Sequence, residues 1–305
     1  MPNSKIAAHS DAGTGFCQKT RTLLESTARL LGLNAEESMW FGKTGALQLG
    51  ALTVQIVCNP QGERLPCMIL ATPEIPKDVS KCQWYSTLMN ANATALLLGQ
   101  WGFMLTKEAC AIAMQVISPA ECTPAILRSL LDGITCVCRG ATTGAAVTRW
   151  DATNRSKALS PLSVEHPELH LEGPQSLRSH VCHALQHLDI PEPDAIRMAT
   201  TGLITLGKQH IVVTTAVDSP QSLLLCTPLS HVSPSTRVYQ QLLQANYLLF
   251  PSFGILAGEG SFGLQLCCRW QIALEEPHNL ARWLELFSGF ACNLDHDTNF
   301  FSSHP

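Results

Sequence analysis

The sequence predicts an α+β fold made of two tandem domains, each a mainly antiparallel sheet with three helices. Three observations lead there. Short phrases recur in the same order in the two halves of the chain. Within each half, apolar residues switch between helical and strand-like periodicity in the same succession. Between the halves lies a stretch rich in Thr, Ser, Pro, Gly and His without apolar periodicity.

The repeat organises everything else. Leu31-Gly32-Leu33 is matched by Leu188-Asp189-Ile190, and Leu49-Gly50 by Leu206-Gly207, both at an offset of 157. Leu70-Ala71-Thr72-Pro73 recurs as Leu225-Cys226-Thr227-Pro228 at 155. Tyr85, Leu88, Ala91 and Asn92 recur as Tyr239, Leu242, Ala245 and Asn246 at 154. Such a drift is what small length changes in loops produce, whereas chance matches would scatter.

Each half then reads as helix, three strands, helix, two strands, helix. The first helix of copy one carries Leu23, Leu24, Thr27, Ala28, Leu30 and Leu31 on one face and Arg21, Glu25 and Arg29 opposite. Thr22 with Glu25 has the spacing of a capping box. Leu177, Val181, Ala184, Leu185 and Leu188 form the stripe in copy two, and Pro191 and Pro193 are expected to stop that helix. Alternation over Leu47, Leu49, Leu52, Val54, Ile56 and Cys58 predicts two half-buried strands, repeated by Ile204, Leu206, Ile211 and Val213. A third strand ends at each Thr-Pro. The second helix follows, with Trp84, Leu88, Ala91 and Ala95 matched by Val238, Leu242, Ala245 and Leu249. Ser233-Pro234 supplies a start for the later one. Two strands come next, split in copy two by Gly258-Glu259-Gly260, and a last helix begins near Pro124 or Pro277. The domains are thus 20–139 and 176–294, joined by a linker over 140–175. Helices packed on an antiparallel sheet satisfy this order.

Composition narrows the function classes. The chain is 46% apolar and only 14% charged, against about 25% charged in an average soluble domain. Much of its surface is therefore neutral polar or apolar, which suits a protein that covers surface against a partner. A net charge of −4 gives no basic footprint for nucleic acid. Residues 1–19 are polar, with Lys5, His9, Asp11 and Lys19, so no signal peptide is expected. Apolar runs such as Ala109–Met114 are far shorter than the ~18 residues of a membrane span, and no membrane insertion is expected. The 13 cysteines are an odd number, most of them inside apolar runs, as Cys58, Cys67, Cys136, Cys226 and Cys267 are. They read as small buried hydrophobes in a reducing cytoplasm.

Sites of chemistry are weighed and set aside. Gly258-Glu259-Gly260-Ser261-Phe262-Gly263 has the spacing of a kinase glycine loop, but no lysine follows Lys208 and neither His-Arg-Asp nor Asp-Phe-Gly occurs. A dinucleotide-binding loop would open a helix, whereas strand-like Leu264-Gln265-Leu266-Cys267 follows. A hairpin using glycine at positive φ is the expected structure. His180, His183 and His187 share a helix face, and His183/His187 have metal-ligand spacing, but copy one has no counterpart and no third ligand is implied. Cys136/Cys138 and Cys267/Cys268 are wrongly spaced for a zinc knuckle, and no Gly-x-Ser-x-Gly is present. No metal, no cofactor and no catalytic residue is expected.

Leu30-Leu31-Gly32-Leu33, closing a leucine-rich first helix, resembles the class I type III secretion chaperones, the Tir chaperone (CesT-like) family. So does Leu242-Leu243-Gln244-Ala245-Asn246, followed by Gly254, Ala257-Gly258-Glu259-Gly260, Leu264 and Leu266. Copy one keeps Leu88-Met89-Asn90-Ala91-Asn92 but loses most of the glycines that follow. The resemblance implies a bacterial cytoplasmic protein, tied to virulence, that dimerises largely through its second helix. Its partner would be the N-terminal region of a secreted effector, held in extended form and handed to the export machinery, the secretion-system ATPase included. Family members usually carry one domain per chain, so the doubling predicts a monomer acting as an intramolecular pseudo-dimer. Its inter-repeat interface would be Trp84, Leu88, Ala91 and Ala95 with Val238, Leu242, Ala245 and Leu249, the alanines permitting close approach.

Client binding is expected on the first helix and adjoining sheet of each copy. The residues are Leu23, Leu30, Leu47, Leu49, Val57 and Ile69, with Val181, Leu188, Ile204, Leu206, Val212 and Leu224 as counterparts. Two other readings stay open: a secretion regulator or adaptor of the same fold that binds a folded partner, and an enzyme whose site is assembled from unrecognised residues.

Overall fold

The structure, a computed structural model, describes residues 16–58, 66–98, 101–117, 122–147, 175–216, 219–260, 263–271 and 276–296. The first half runs α1 (Gln18–Leu30), α2 (Ala35–Thr44), β1 (Ala46–Leu49), β2 (Leu52–Cys58), β3 (Pro66–Thr72), α3 (Lys81–Leu98), β4 (Trp101–Leu105), β5 (Ala111–Val116) and α4 (Pro124–Val147). The second runs α5 (Gln175–Gln186), α6 (Glu192–Thr201), β6 (Leu203–Leu206), β7 (Gln209–Ala216), β8 (Ser219–Pro228), α7 (Thr236–Phe253), β9 (Ile255–Gly260), β10 (Gly263–Gln271) and α8 (Pro277–His296). Two five-stranded antiparallel sheets result, ordered β1-β2-β3-β5-β4 and β6-β7-β8-β10-β9. The α+β class and the order of strands within each half are as the periodicity predicts.

Matched phrases have a physical basis in the chain's turns. At the end of α1, Gly32 takes φ +82° while Leu33 N–H donates to the Ala28 carbonyl and Gly32 N–H to that of Arg29. This is the Schellman stop, with glycine in the left-handed position. Copy two repeats it: Ile190 N–H donates to the Leu185 carbonyl, Asp189 N–H to that of Gln186, and Asp189 itself sits at φ +58°. Leu-Gly-Leu and Leu-Asp-Ile are therefore one helix ending, and the aspartate bears the cost of the left-handed region.

Each half has four helices rather than three, because a ten-residue helix precedes the first strand. In copy one the capping box belongs here: Glu37 N–H donates to Asn34 Oδ1, and Asn34 N–H to Glu37 Oε2. Thr22 lies inside α1 and donates to the Gln18 carbonyl, so it caps nothing. In copy two Pro191 is the N-cap of α6 and Pro193 sits in its first turn, where proline's missing N–H is harmless. The prolines thus start a helix, and α5 has already ended at Gln186. Both short helices end on a left-handed glycine, Gly45 at φ +66° and Gly202 at φ +70°. The carbonyls of these glycines accept the N–H of Ile56 and Val213, fixing each helix to the second strand of its own half.

Smaller corrections follow. The N-cap of α7 is Ser235, two residues beyond Ser233, and its hydroxyl accepts the Val238 N–H. Helix α4 continues to Val147, so 140–147 are helical rather than linker; the remainder of the linker up to residue 174 lies outside the described residues. Gly258 and Gly260 lie within β9, not between strands, and β9 pairs with β10 from Gly260↔Gly263 onward.

The compact units do not coincide with the repeats. One comprises Met1–Ala71 with Gln115–Cys136, the other Thr72–Met114 with Val137–Pro305. In the first, α1 packs on α2 and β1 pairs with β2 around Leu24, Ala28, Phe41, Val54 and Ile56, all nearly inaccessible. In the second, α5 packs on α6 and α8, with Leu185, Leu284 and Phe287 fully buried. This unit also takes α3 and β4 from the first repeat.

The helix endings give opposite expectations for two glycine exchanges. Asp189→Gly relieves the left-handed residue and should raise stability by up to ~1 kcal/mol. Gly45→Ala should lower it by more than ~1 kcal/mol, since it combines that conformation with a Cβ 2.7 Å from the Phe16 ring. Urea denaturation of both variants measures the two signs.

Candidate interface between the repeats and candidate client surface

Helix α3 is closed at its start by Ser80 and Gln83: Gln83 N–H donates to the Ser80 hydroxyl, and Ser80 N–H to Gln83 Oε1. Its repeat counterpart α7 is capped by Ser235 and ends on Gly254, with Pro251 tolerated in the last turn. Within one compact unit α3 and α7 pack on each other, α3 also lies along β9, and α7 lies along β4. Each second helix therefore touches the fourth strand of both repeats. On these helices Trp84, Leu88, Ala95, Leu242, Ala245 and Leu249 are buried, while Ala91 and Val238 are half-buried. The eight residues expected at the interface all lie on these two packed helices.

At the centre stand two residues that apolar periodicity passes over. Asn92 Oδ1 accepts the Phe103 N–H at 2.7 Å, and its amide donates to the Phe103 carbonyl at 2.9 Å and to the Ala257 carbonyl at 3.1 Å. Asn246 mirrors this: Oδ1 accepts the Ala257 N–H at 2.6 Å, and the amide donates to the carbonyls of Ala257 at 3.0 Å and Phe103 at 3.2 Å. Both side chains are at most 1% exposed. Each asparagine thus holds its own fourth strand and crosses to that of the other repeat, and the two carbonyls are shared by both amides. Gln244 adds an amide bond to the Thr106 carbonyl. The available signal was an asparagine at the same place in both copies of an otherwise apolar stripe. A polar residue there must be satisfied, and only backbone is at hand to do it.

The client residues divide by exposure. Leu47, Ile69, Val181, Ile204, Val212 and Leu224 are buried, between 0% and 9% exposed, and belong to the core rather than to a client-accessible surface. Leu23, Leu49, Val57, Leu188 and Leu206 are half-buried, and Leu30 is 44% exposed. Alternation along a strand cannot separate two faces when both are covered. The helices that the periodicity missed carry larger exposed apolar side chains: Met39 and Trp40 on α2 in one unit, at 62% and 51%, and Ile196 on α6 in the other, at 51%. Met39 and Ile196 share the 157-residue offset of the first helices.

Side chains suited to chemistry are differently placed. All thirteen cysteines are free; Cys136 is exposed on α4, not buried as expected, whereas Cys138, Cys267 and Cys268 are buried. Burial pushes the Cys58 and Cys138 thiols up to about 12. Cys226 Sγ lies 3.2 Å from Cys267 Sγ across β8 and β10, and that hydrogen bond, followed by burial, holds the Cys267 thiol well above its ordinary value. Thiols so raised remain protonated at neutral pH and are poor nucleophiles. Burial lowers the basicity of half-buried His180, with Glu276 opposing, while His183 and His187 are exposed. Among the described residues no group of three or more His, Cys, Asp or Glu could hold a metal ion, and no helix is long and apolar enough to cross a membrane.

Asn92→Ala or Asn246→Ala leaves a buried N–H unpaired and removes the shared donors, so each should cost about 3 kcal/mol. Because each carbonyl keeps one amide donor in either single variant and loses both in the double, the double substitution should cost more than the sum of the singles. Urea denaturation of the four proteins checks both statements.

No family model matches the chain and no curated protein matches it.

Proposed function

We propose that the chain is a type III secretion chaperone: a bacterial cytoplasmic protein that binds the N-terminal region of a secreted effector and keeps it competent for export. The observation that carries this reading is the contact of α3 with α7 through the Asn92 and Asn246 amides. The resembled family pairs two chains through the helix that follows its third strand, and here a single chain supplies both such helices, α3 and α7. One chain then does the work of a dimer, and its partners are the effector and the export machinery that receives it.

Client contact falls to apolar side chains still open to water. These are Leu30, Met39 and Trp40 with half-buried Leu23, Leu49 and Val57 in one unit, and Ile196 with half-buried Leu188 and Leu206 in the other. An extended segment fills such positions with alternate side chains and gains main-chain hydrogen bonds where a strand edge is free. Burying one large apolar side chain contributes about 1.5–3 kcal/mol.

Calorimetry with the purified N-terminal fragment of a secreted protein encoded beside this chain tests the proposal. Wild type should bind, and Trp40→Asp and Ile196→Asp should each weaken binding roughly ten- to a hundredfold with unchanged melting behaviour. Val212→Asp buries a carboxylate in the core and should unfold the protein instead, so it serves as the contrasting control. Failure of wild type to bind any such fragment would sink the chaperone reading.

A further inference from the structure

The repeats are alike in fold but not in the side chains that meet at their contact. The 154-residue offset that relates Asn92 to Asn246 also relates Phe103 to Ala257, since each asparagine binds the strand residue eleven positions on. It therefore pairs Gly102 with Leu256, Met104 with Gly258, and Ala93 with Tyr247.

Gly102 and Leu256 are equivalent positions that touch each other. A Cβ on Gly102 would lie 2.6 Å from Leu256 Cδ1 and 2.9 Å from Cδ2. Gly102 is not among the positive-φ glycines, so its backbone does not demand glycine; the space does. Gly258 is in the same case: a Cβ there would lie 2.8 Å from the Ala93 nitrogen and 3.1 Å from the Asn92 carbonyl carbon, both backbone atoms of α3. Gly260 likewise brings Ala93 Cβ within 3.3 Å of where a Cβ would stand.

Like repeats would not fit this arrangement. Two second repeats would set Leu256 against Leu256, where the leucine now faces a glycine whose added Cβ would already force its terminal carbons to move. Two first repeats would set Met104 where α3 requires glycine, and Gly102 against Gly102 would leave the volume of a leucine empty. We propose that Gly102 against Leu256, supported by Gly258 against α3, is a steric key that makes this surface accept only the unlike repeat, which the covalent connection supplies from the same chain. Every molecule then presents one surface of each kind, in fixed one-to-one ratio, which a dimer of identical domains has no means of doing. Discrimination arises from built-in clashes as much as from attraction, and covalent connection raises the effective concentration of the correct partner.

A double-mutant cycle on the full-length chain tests the key. Gly102→Leu overfills the contact and Leu256→Gly empties it, so each alone should lower Tm by roughly 5–15 °C. The exchange of both, Gly102→Leu with Leu256→Gly, restores one large and one small side chain and should recover more than half of the summed loss. Differences in strand propensity between Gly and Leu are additive and cancel in the cycle. Should Gly102→Leu fail to fold, recovery of folded protein in the exchanged variant still supports the key. Additive losses, or an exchanged variant no better than the worse single, would overturn it. Two full-length chains carrying different affinity tags and made in the same cells should not purify together; a stable mixed complex would also overturn closure within one chain.

Discussion

The buried amides of Asn92 and Asn246 impose the constraint that orders the contact between the repeats. Each makes three hydrogen bonds to backbone atoms of β4 and β9, and the Phe103 and Ala257 carbonyls accept from both. A sideways slip of α3 against α7 would strand all of these groups where water does not reach. An apolar seam of alanines and leucines alone would tolerate such a slip, because dispersion and burial are nearly indifferent to small shifts. The amides make one register far better than its neighbours, since an unpaired buried polar group costs about 1–3 kcal/mol. Apolar burial on Trp84, Leu88, Leu242 and Leu249 supplies the attraction, and the asparagines supply the alignment.

Alignment at that point has consequences for composition along β4 and β9. With Asn92 fixed over the Ala257 carbonyl, the backbone of α3 at Asn92 and Ala93 comes to rest on the strand, and only glycine fits beneath it at position 258. The loss of glycines after the Leu-Met-Asn-Ala-Asn phrase of copy one then has a physical reading. There Met104, buried, occupies the counterpart of Gly258 and fills space instead of yielding it. Shared features of the repeats concern folding each half: the Schellman stops, the left-handed Gly45 and Gly202, the capped second helices. Where the repeats meet, by contrast, Gly102 faces Leu256 and Met104 stands for Gly258.

Much of this was legible in the sequence. The order of strands, the Thr-Pro strand ends and the starts of α4 and α8 at Pro124 and Pro277 follow from periodicity and breakers. Helices α2 and α6 were missed because ten residues make barely three turns, and because Pro191 and Pro193 read equally well as a stop or a start. Half of the client residues lie in the core because strands covered on both faces keep their alternation without revealing which side meets solvent. The exposed Met39, Trp40 and Ile196 fell in segments given no structure at all. Asn92 and Asn246 were visible as a repeated phrase, but their role depends on two carbonyls separated from each other by 154 residues of chain, which no local pattern encodes. The unit comprising Thr72–Met114 and Val137–Pro305 is hidden from sequence for the same reason: it is assembled from both repeats.

Joining two copies in one chain removes a restriction that symmetry imposes. In a two-fold dimer of identical domains a residue near the axis faces its own copy, so a bulky side chain meets a bulky one and a glycine meets a glycine. Such a contact must settle on side chains that fit against themselves. Once the copies are separate stretches of one sequence, the two sides of the axis vary independently, and a large side chain is free to face an empty position. Gly102 and Leu256 are that case, an arrangement a symmetric ancestor with one domain per chain would have been barred from adopting. The same freedom extends outward to surfaces away from the axis. Trp40 on α2 has Arg197 as its counterpart on α6, so one copy carries an aromatic ring where the other carries a guanidinium.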